Sequence, residues 1–392
     1  MQAIEMFAGI GGFHIGLERA GINVIWANDI EPKACAIYAR HFGQDSIVCA
    51  DIKDVKDSVP SHNLLTAGFP CQPFSAAGKK MGVHDQVRGT LFAEIVDILE
   101  RVQPDLFILE NVKRLLTMEH GRHFATILIA LTEAGYFVEW RLLNARNFGL
   151  AQNRERVFIV GRKNRADLLS CDARTFVSGH SVLFLDGDLN VEPSLFAPST
   201  ISDFLEPVVD RLGFSFAGFA CDDKAHSFTQ DAFPNQKPPR LLRDVLQEEP
   251  NMVFDFTDVT NGWLKDNTEV NSFINGVEII SNQEGGRRMG YTIFGIGGLA
   301  PTLTSTTSRH YERYRVRNRY RRLTNVEYAR LQGFDDDWCD TASIYDQYAL
   351  YGNAVPPAMV EWVAARLIRR FQEVSNGRLN GRHQTAAASP CP

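Results

Sequence analysis

The strongest constraint on this chain is the alternation of short apolar runs with amphipathic segments over its first 165 residues. Ala3 to Phe7 reads as a strand. It leads through Gly9-Ile10-Gly11-Gly12 into a helix whose apolar face carries Phe13, Leu17 and Ala20. Val24 to Ala27, Ile47 to Ala50, Leu64 to Ala67, Leu106 to Leu109, Phe137 to Leu143 and Val157 to Val160 read as further strands. Between them, Leu91, Phe92, Ile95, Ile98, Leu99 and Val102 recur at helical spacing, as do Phe124, Ile127, Leu128 and Leu131. Strands that alternate with helices pack as a sheet with helices on both faces. The expected class is therefore α/β: a doubly wound, mostly parallel, Rossmann-like sheet.

From about Lys163 to Thr260 the periodicity dissolves and no element can be placed. Residues 287–322 are basic, helical patterning returns at Leu323, and Pro356-Pro357 starts a final amphipathic helix through Ala364, Leu367 and Phe371. The expected organisation is a large domain of residues 1–163 plus 336–375 that carries cofactor and catalysis. A smaller irregular domain, 164–335, would read the substrate, and 376–392 would be a disordered tail.

Composition narrows the class. With 44% hydrophobic and 22% charged residues among 392, the chain is globular. No apolar run approaches the roughly 20 residues needed to cross a bilayer. The N-terminal Met1-Gln2-Ala3-Ile4-Glu5 carries an acid where a signal peptide needs Lys or Arg, so a cytoplasmic protein with no membrane partner is expected. The 7 cysteines are odd in number and scattered without a Cys-x-x-Cys pair, which argues against a disulfide framework or a zinc site. His120 and His123 lack a third ligand and read as surface residues; no metal is expected.

A glycine loop between the first strand and helix exposes N–H groups and a helix N-terminus to a ligand. Asp29 ends the second strand, where an acid holds ribose hydroxyls, and Asp51 ends the third, placed to accept from an adenine amino group. The pattern Phe-x-Gly-x-Gly-Gly lacks the third glycine of the dinucleotide fingerprint. An adenosine-containing ligand follows, and S-adenosylmethionine is favoured over a dinucleotide.

Cys71 stands in Gly68-Phe69-Pro70-Cys71-Gln72-Pro73-Phe74-Ser75, locked by proline on both sides just beyond a strand end. A thiol held at the ligand crevice can ionise and attack an electrophile. Glu110 ends a very apolar strand, where desolvation raises a carboxyl pKa and keeps a proton available. In Gln152-Asn153-Arg154-Glu155-Arg156, either arginine can face the site while the other pairs structurally. Residues 309–322 hold one acid against seven arginines: Arg309, Arg313, Arg315, Arg317, Arg319, Arg321 and Arg322. On one extended strand the alternate arginines from 313 to 321 project from one face, suited to phosphate contact and guanine readout.

In order along the chain, these segments resemble the motifs of the DNA (cytosine-5) methyltransferases of the bacterial restriction–modification type. Phe7-Ala8-Gly9-Ile10-Gly11-Gly12, Asp29-Ile30, Asp51-Ile52 and Arg88-Gly89-Thr90-Leu91-Phe92 resemble its cofactor motifs, and Pro70-Cys71-Gln72 its nucleophile motif. Glu110-Asn111-Val112 is similar to the acid motif, Gln152 to Arg156 to the arginine motif, and Arg322 to Phe334 to the ninth. Gly352-Asn353-Ala354-Val355-Pro356-Pro357 resembles the tenth, which returns to the cofactor, and Pro301-Thr302-Leu303-Thr304 resembles the Thr-Leu pair near the target-recognition region. Ala151 departs from the proline common there.

The resemblance implies that the Cys71 thiolate adds to carbon 6 of a flipped-out cytosine. Glu110 protonates ring nitrogen 3, Arg154 holds the carbonyl oxygen with Arg156 beside it, and carbon 5 takes the methyl of S-adenosylmethionine, leaving S-adenosylhomocysteine. It assigns the cofactor to Phe7, Gly9, Ile10, Gly11, Gly12, Asp29, Ile30, Asp51, Ile52, Pro70, Leu91, Asn353 and Val355. It assigns DNA to Gln72, Ser75, Arg88, Thr302 and Leu303, to which the arginine-rich segment adds Arg309, Arg313, Arg315 and Arg317. The partner is duplex DNA, met by a monomer, with a companion restriction endonuclease acting on the same sequence without a stable complex. Two rivals are the same chemistry on tRNA, whose branch carries a Cys-Phe-Thr signature absent here, and a catalytically silent DNA-binding protein, in which a damaged nucleophile or acid motif is expected.

Overall fold

The computed structural model describes residues 1–70, 90–163, 181–184, 199–205, 213–228, 233–256, 267–283, 292–304 and 312–384. Along the chain come β1 (Gln2–Met6), α1 (Gly12–Arg19), β2 (Asn23–Asp29), α2 (Pro32–Phe42), β3 (Ile47–Cys49) and α3 (Ile52–Val55). These are followed by β4 (Leu64–Gly68), α4 (Leu91–Val102), β5 (Leu106–Val112), α5 (Arg122–Glu133), β6 (Tyr136–Asn144) and β7 (Glu155–Lys163). Next are β8 (Ser199–Thr200), β9 (Ala217–Cys221), β10 (Lys224–Phe228), β11 (Asn267–Ile274), β12 (Val277–Gln283) and β13 (Thr292–Phe294). β14 (Arg313–Val316), β15 (Arg319–Arg321), α6 (Asn325–Gln332), α7 (Ile344–Asn353) and α8 (Pro357–Gln384) complete the order.

The large sheet runs β3-β2-β1-β4-β5-β7-β6-β9-β10-β8. Neighbours from β3 to β5 are parallel, and those from β5 to β8 are antiparallel. β4 and the first part of β5 are buried on both faces, which is why they read as unbroken apolar runs. The chain winds outward from β1 to β3 and then returns to β4 on the other side of β1. Connections diverge at that point, so a crevice opens beyond the carboxyl ends of β1 and β4.

One face of the sheet packs on α4 and α5 through Ile95, Leu99, Phe124 and Leu128; the other packs on α1 and α8 through Phe13, Leu17, Val360 and Leu367. A second sheet, β11-β12-β13-β14-β15, shares a third core with α6 and α7 that includes Tyr314, Leu323, Tyr328 and Tyr348. α6 has reciprocal caps: Glu327 N–H donates to Thr324 Oγ1 at 3.1 Å, and Thr324 N–H to Glu327 Oε2 at 2.8 Å.

Two expectations change. β8, β9 and β10 lie in the stretch assigned from sequence to the small domain, yet β9 pairs with β6 and extends the large sheet. The strand Ala-Gly-Phe-Ala-Cys hides from propensity because its residues are small for a reason. A Cβ on Gly218 would sit 2.1 Å from the Trp140 indole that crosses it. At the other end, α8 continues to Gln384 instead of ending near Ser375, since propagating an existing helix fixes one residue per hydrogen bond gained.

α1 and α8 cross closely at Gly16, where a Cβ would lie 2.5 Å from Val360 Cβ. Gly16→Val should therefore destabilise the protein by about 1–3 kcal/mol through overpacking. Urea unfolding reads the loss, and an unchanged midpoint would contradict this contact.

Candidate active site

The first wall of the crevice is the loop after β1. Phe7 has φ 55°, a conformation bulky residues seldom adopt, followed by Gly9 at 54° and Gly11 at 89°. Asp29, at the end of β2, holds the loop: Oδ2 accepts from Gly9 N–H at 2.7 Å and Oδ1 from Glu31 N–H at 2.8 Å. Gly12 permits the closing contact, because a Cβ there would lie 2.2 Å from the Val355 carbonyl oxygen. Ile10 is buried, with its carbonyl accepting from Trp338 Nε1–H at 2.9 Å. The segment around Val355 is thereby seated on the first helix, more than 300 residues away in sequence.

A cleft of about 360 Å³ is lined by Phe7, Gly9, Ile10, Asp29, Pro70, Glu110, Arg154, Arg156, Asn353 and Val355, among others. Beside it, a cavity of about 250 Å³ is lined by Phe7, Ile30, Asp51, Ile52 and Leu91, with Asn28, Ala50 and Lys53. Thus all the residues expected to hold the cofactor line one of the two spaces, except Gly11 and Gly12, which shape the loop behind them. Ile30 is 64% exposed, an apolar side chain left open at the cavity. Asp51 caps α3, accepting from Lys53 N–H at 3.0 Å. Gly9 points where a Cβ would meet no protein atom within 4 Å. A strand-end acid, an apolar slot and an open glycine backbone fit an adenosine-bearing, zwitterionic ligand.

Glu110 reaches the cleft floor from β5. Its Oε1 pairs with Arg156 Nε at 2.9 Å, with both side chains almost buried. Burial raises the Glu110 pKa, and Arg156 and Arg154 oppose it without cancelling it. Arg154 takes a different part. It donates to the carbonyls of Leu303, Gly352 and Ala354, each at 2.9 Å, and is 1% exposed. Burial, and then Arg156, hold its pKa well below the usual range. The expectation that Arg154 holds the substrate is thus reversed. Arg154 is committed to protein carbonyls, and Arg156 is the guanidinium paired with the acid.

Asn111 carries a contact that sequence reading passed over. Its Nδ2–H donates to the Phe69 carbonyl at 3.0 Å, tying the acid strand to the segment that enters Pro70-Cys71. The signal was its place beside Glu110, but an amide's partner is not written in a motif. Cys71, Gln72, Ser75, Arg88 and Arg309 lie outside the described residues. His123 is buried, with Nε2 3.4 Å from Glu119, and so is not the surface residue expected.

The arginine stripe folds differently from expectation. The chain turns at Arg317-Asn318, so β14 and β15 form a hairpin in which Tyr314 faces Arg321, Arg315 faces Tyr320 and Val316 faces Arg319. Paired residues share a face, so Arg315 lies opposite to Arg319 and Arg321. Arg321 makes a buried two-bond pair with Glu327, both at 2.7 Å, and Arg319 grips Asp255. Arg313 is buried, its guanidinium 6.0 Å from the Phe256 ring centre; Arg315 and Arg317 are exposed. Leu303 is also buried, giving its N–H to Gln152 Oε1 at 3.1 Å, and the Thr302 hydroxyl donates to the Asn153 carbonyl at 2.6 Å. Arg313 and Leu303 are therefore buried in the fold, while Thr302 is half-buried at the junction with Asn153.

Arg154→Met leaves the buried Leu303 and Gly352 carbonyls without this donor, at about 1–3 kcal/mol for each, while the Ala354 carbonyl keeps Gln332 Nε2 at 3.3 Å. Arg156→Met should cost less, because Glu110 can keep its proton. Equal losses in a denaturant melt would contradict the division of the two arginines.

The description C-5 cytosine-specific DNA methylase matches residues 1–369. The type II methyltransferase M.NlaX of Neisseria lactamica is 30% identical over 389 residues, spanning 96% of this chain and 99% of that enzyme. M1.ScrFI of Lactococcus lactis subsp. cremoris is 30% identical over 95% of this chain and 79% of its own. M.NgoBI of Neisseria gonorrhoeae is 40% identical over 203 residues, which is 51% of this chain and 62% of that enzyme. The fold is similar to the Dnmt2 methyltransferase of S. pombe, with a TM-score of 0.58, 18% identity, and coverage of 95% and 99% of the two chains. Matched by this family over residues 1–369 and by relatives 30% identical over most of both chains, the chain belongs to the C-5 cytosine-specific DNA methylases and is a DNA (cytosine-5)-methyltransferase.

Proposed function

We propose that this enzyme methylates carbon 5 of cytosine within a short duplex DNA sequence, with Cys71 as covalent nucleophile and S-adenosylmethionine as methyl donor. The observation that carries the reading is the Glu110–Arg156 pair at 2.9 Å, set in the same cleft as the glycine loop and Pro70. A proton-holding acid and a pocket for an adenosine-bearing ligand then face one small volume.

Carbon 5 of cytosine is a weak nucleophile. Addition of the Cys71 thiolate to carbon 6, with a proton from Glu110 at nitrogen 3, makes the carbon 4–carbon 5 unit enamine-like. Arg156 orients the Glu110 carboxyl and presents positive charge toward the ring carbonyl. S-adenosylmethionine supplies an electrophilic methyl group on its sulfonium sulfur. Loss of the carbon-5 proton with expulsion of Cys71 restores the ring and frees the enzyme. The target atoms are inaccessible inside a duplex, so the base must leave the stack. Phe7, Asp29, Asp51, Ile30, Ile52, Leu91, Asn353 and Val355 hold the cofactor, and the backbone of Gly9 lies open to it.

The exposed Arg315 and Arg317 replace the longer stripe as phosphate contacts. Catalysis belongs to the segments before Lys163 and after about 336, with the small sheet reading DNA across the cleft. In its setting the enzyme works in the cytoplasm, as a monomer, and protects host DNA from an endonuclease of the same specificity.

Duplex DNA pools containing 5-fluorocytosine, with labelled cofactor, test the chemistry, because fluorine at carbon 5 cannot leave as a proton. A denaturation-resistant labelled adduct, absent in Cys71→Ala, is expected. Adduct on tRNA alone would move the substrate, and none on either would remove the covalent mechanism. Because Glu110 acts as the acid, methylation should fall as pH rises through its elevated pKa, and Glu110→Gln should abolish most activity at every pH. In binding assays, Arg315→Ala with Arg317→Ala should lower the salt slope by about 0.9 for each phosphate no longer neutralised. An unchanged slope would place the DNA surface elsewhere.

A further inference from the structure

Glu5 is the penultimate residue of β1, fully buried, and the chemistry above does not use it. Its Oε2 is 3.1 Å from the Tyr38 hydroxyl of α2, and that hydroxyl is 2.6 Å from His14 Nδ1 of α1. His14 Nε2 in turn is 3.3 Å from Glu18 Oε1, whose side chain is 58% exposed. The Glu5 carboxyl also lies against the backbone N–H groups of Phe13 and His14, while its Oε1 has no well-aligned hydrogen-bond partner. Those N–H groups belong to the first turn of α1, whose N-cap is Gly11 and has no side-chain cap. His14 stacks on Phe42 with ring centres 3.7 Å apart.

We propose that Glu5 is a positioning residue for the cofactor: through Tyr38 and His14 it joins β1, α1 and α2 beneath Gly9–Gly12 and fixes the backbone that receives S-adenosylmethionine. The inference rests on the S-adenosylmethionine reading of the cleft.

The groups facing Glu5 decide its charge. Burial raises its pKa to about 8, opposed by Tyr38 and the Phe13 and His14 N–H groups and assisted by Asp29 from β2. Burial lowers the pKa of His14, against the pull of Glu18. Near neutral pH Glu5 and His14 are both uncharged. The Tyr38 hydroxyl donates to Glu5 Oε2 and meets His14 Nδ1 on its other side, with His14 Nε2 beside the Glu18 carboxylate. Ionising Glu5 places a charge on a carboxyl that has only the Tyr38 hydroxyl and the Phe13 and His14 N–H groups to solvate it. It also sets a second negative charge beside Asp29, beneath the loop. The sign of the linkage follows: protonated Glu5 favours the native state, and that contribution is lost as pH rises from the unfolded value of 4.5 through about 8.

The test is calorimetric titration of the full chain with S-adenosylmethionine between about pH 6 and 9.5, in the wild type, Glu5→Gln and Tyr38→Phe. Glu5→Gln keeps the shape and cannot ionise, so it should match the wild type at low pH. At high pH the wild type should lose at least about fivefold more affinity than Glu5→Gln. The cofactor's own amine titrates equally in both. Parallel pH profiles would overturn the proposal. Tyr38→Phe breaks the chain and should bind more weakly throughout; wild-type affinity there would also overturn it. Failure of the cofactor reading looks different, since then no variant binds at any pH. Amide exchange of residues 9–14 tests Glu5 without cofactor: protection should fall in Tyr38→Phe and persist in Glu5→Gln at neutral pH. Equal protection in both would overturn the positioning role.

Discussion

The active site depends on one buried guanidinium. Arg154 collects the carbonyls of Leu303, Gly352 and Ala354, and so fastens the arginine loop to the small-sheet connection and to the returning segment before α8. A buried carbonyl left without a donor is costly, and one planar fork supplies all three. Gln152 reinforces the junction, accepting from Leu303 N–H and donating to the Leu331 carbonyl and to Gln332 Oε1, both at 3.1 Å. With this junction in place, Val355 reaches Gly12, and the cleft closes on its third side.

The electrostatics of the cleft follow from where charge is allowed to remain. Glu110 sits between two arginines, yet desolvation outweighs their attraction and its pKa rises. Arg154 is solvated by protein carbonyls in place of water, which leaves Arg156 as the acid's direct counter-charge. A carboxyl that is positioned and proton-retaining suits an acid acting on a ring nitrogen. The arginine-rich hairpin shows the opposite arrangement. Arg321 meets Glu327 in the interior and Arg319 meets Asp255 at the surface, so part of the positive charge concentrated in sequence is spent on pairs within the fold. The Arg321–Glu327 pair is buried, and such a pair is strongly felt when one partner is removed.

Legibility varied with the range of the interaction. The strands of the first 165 residues were readable because a doubly covered sheet demands apolar runs, and the strand-end acids because they stand at fixed distances from the glycine loop. β9 was not readable, since its small residues answer to Trp140 and Phe219 stacks on Phe137 across the sheet. The arginine stripe misled because alternation predicts a common face only while the strand continues, and Arg317 at φ 55° ends it. Leu303 is buried in the fold, because a motif marks a place without saying whether a ligand or the fold occupies it.

The sequence by itself determined the sheet's parallel half, the glycine loop, the strand-end acids and the order of the chemical motifs. These are local properties, fixed by periodicity, by turn geometry and by residue type at a strand end. Tertiary structure alone decided which arginine pairs with Glu110, which arginines face solvent, and how a segment near residue 355 completes a cleft begun at residue 7. Those outcomes depend on desolvation and on partners distant in sequence, and both exist only once the chain has closed around them.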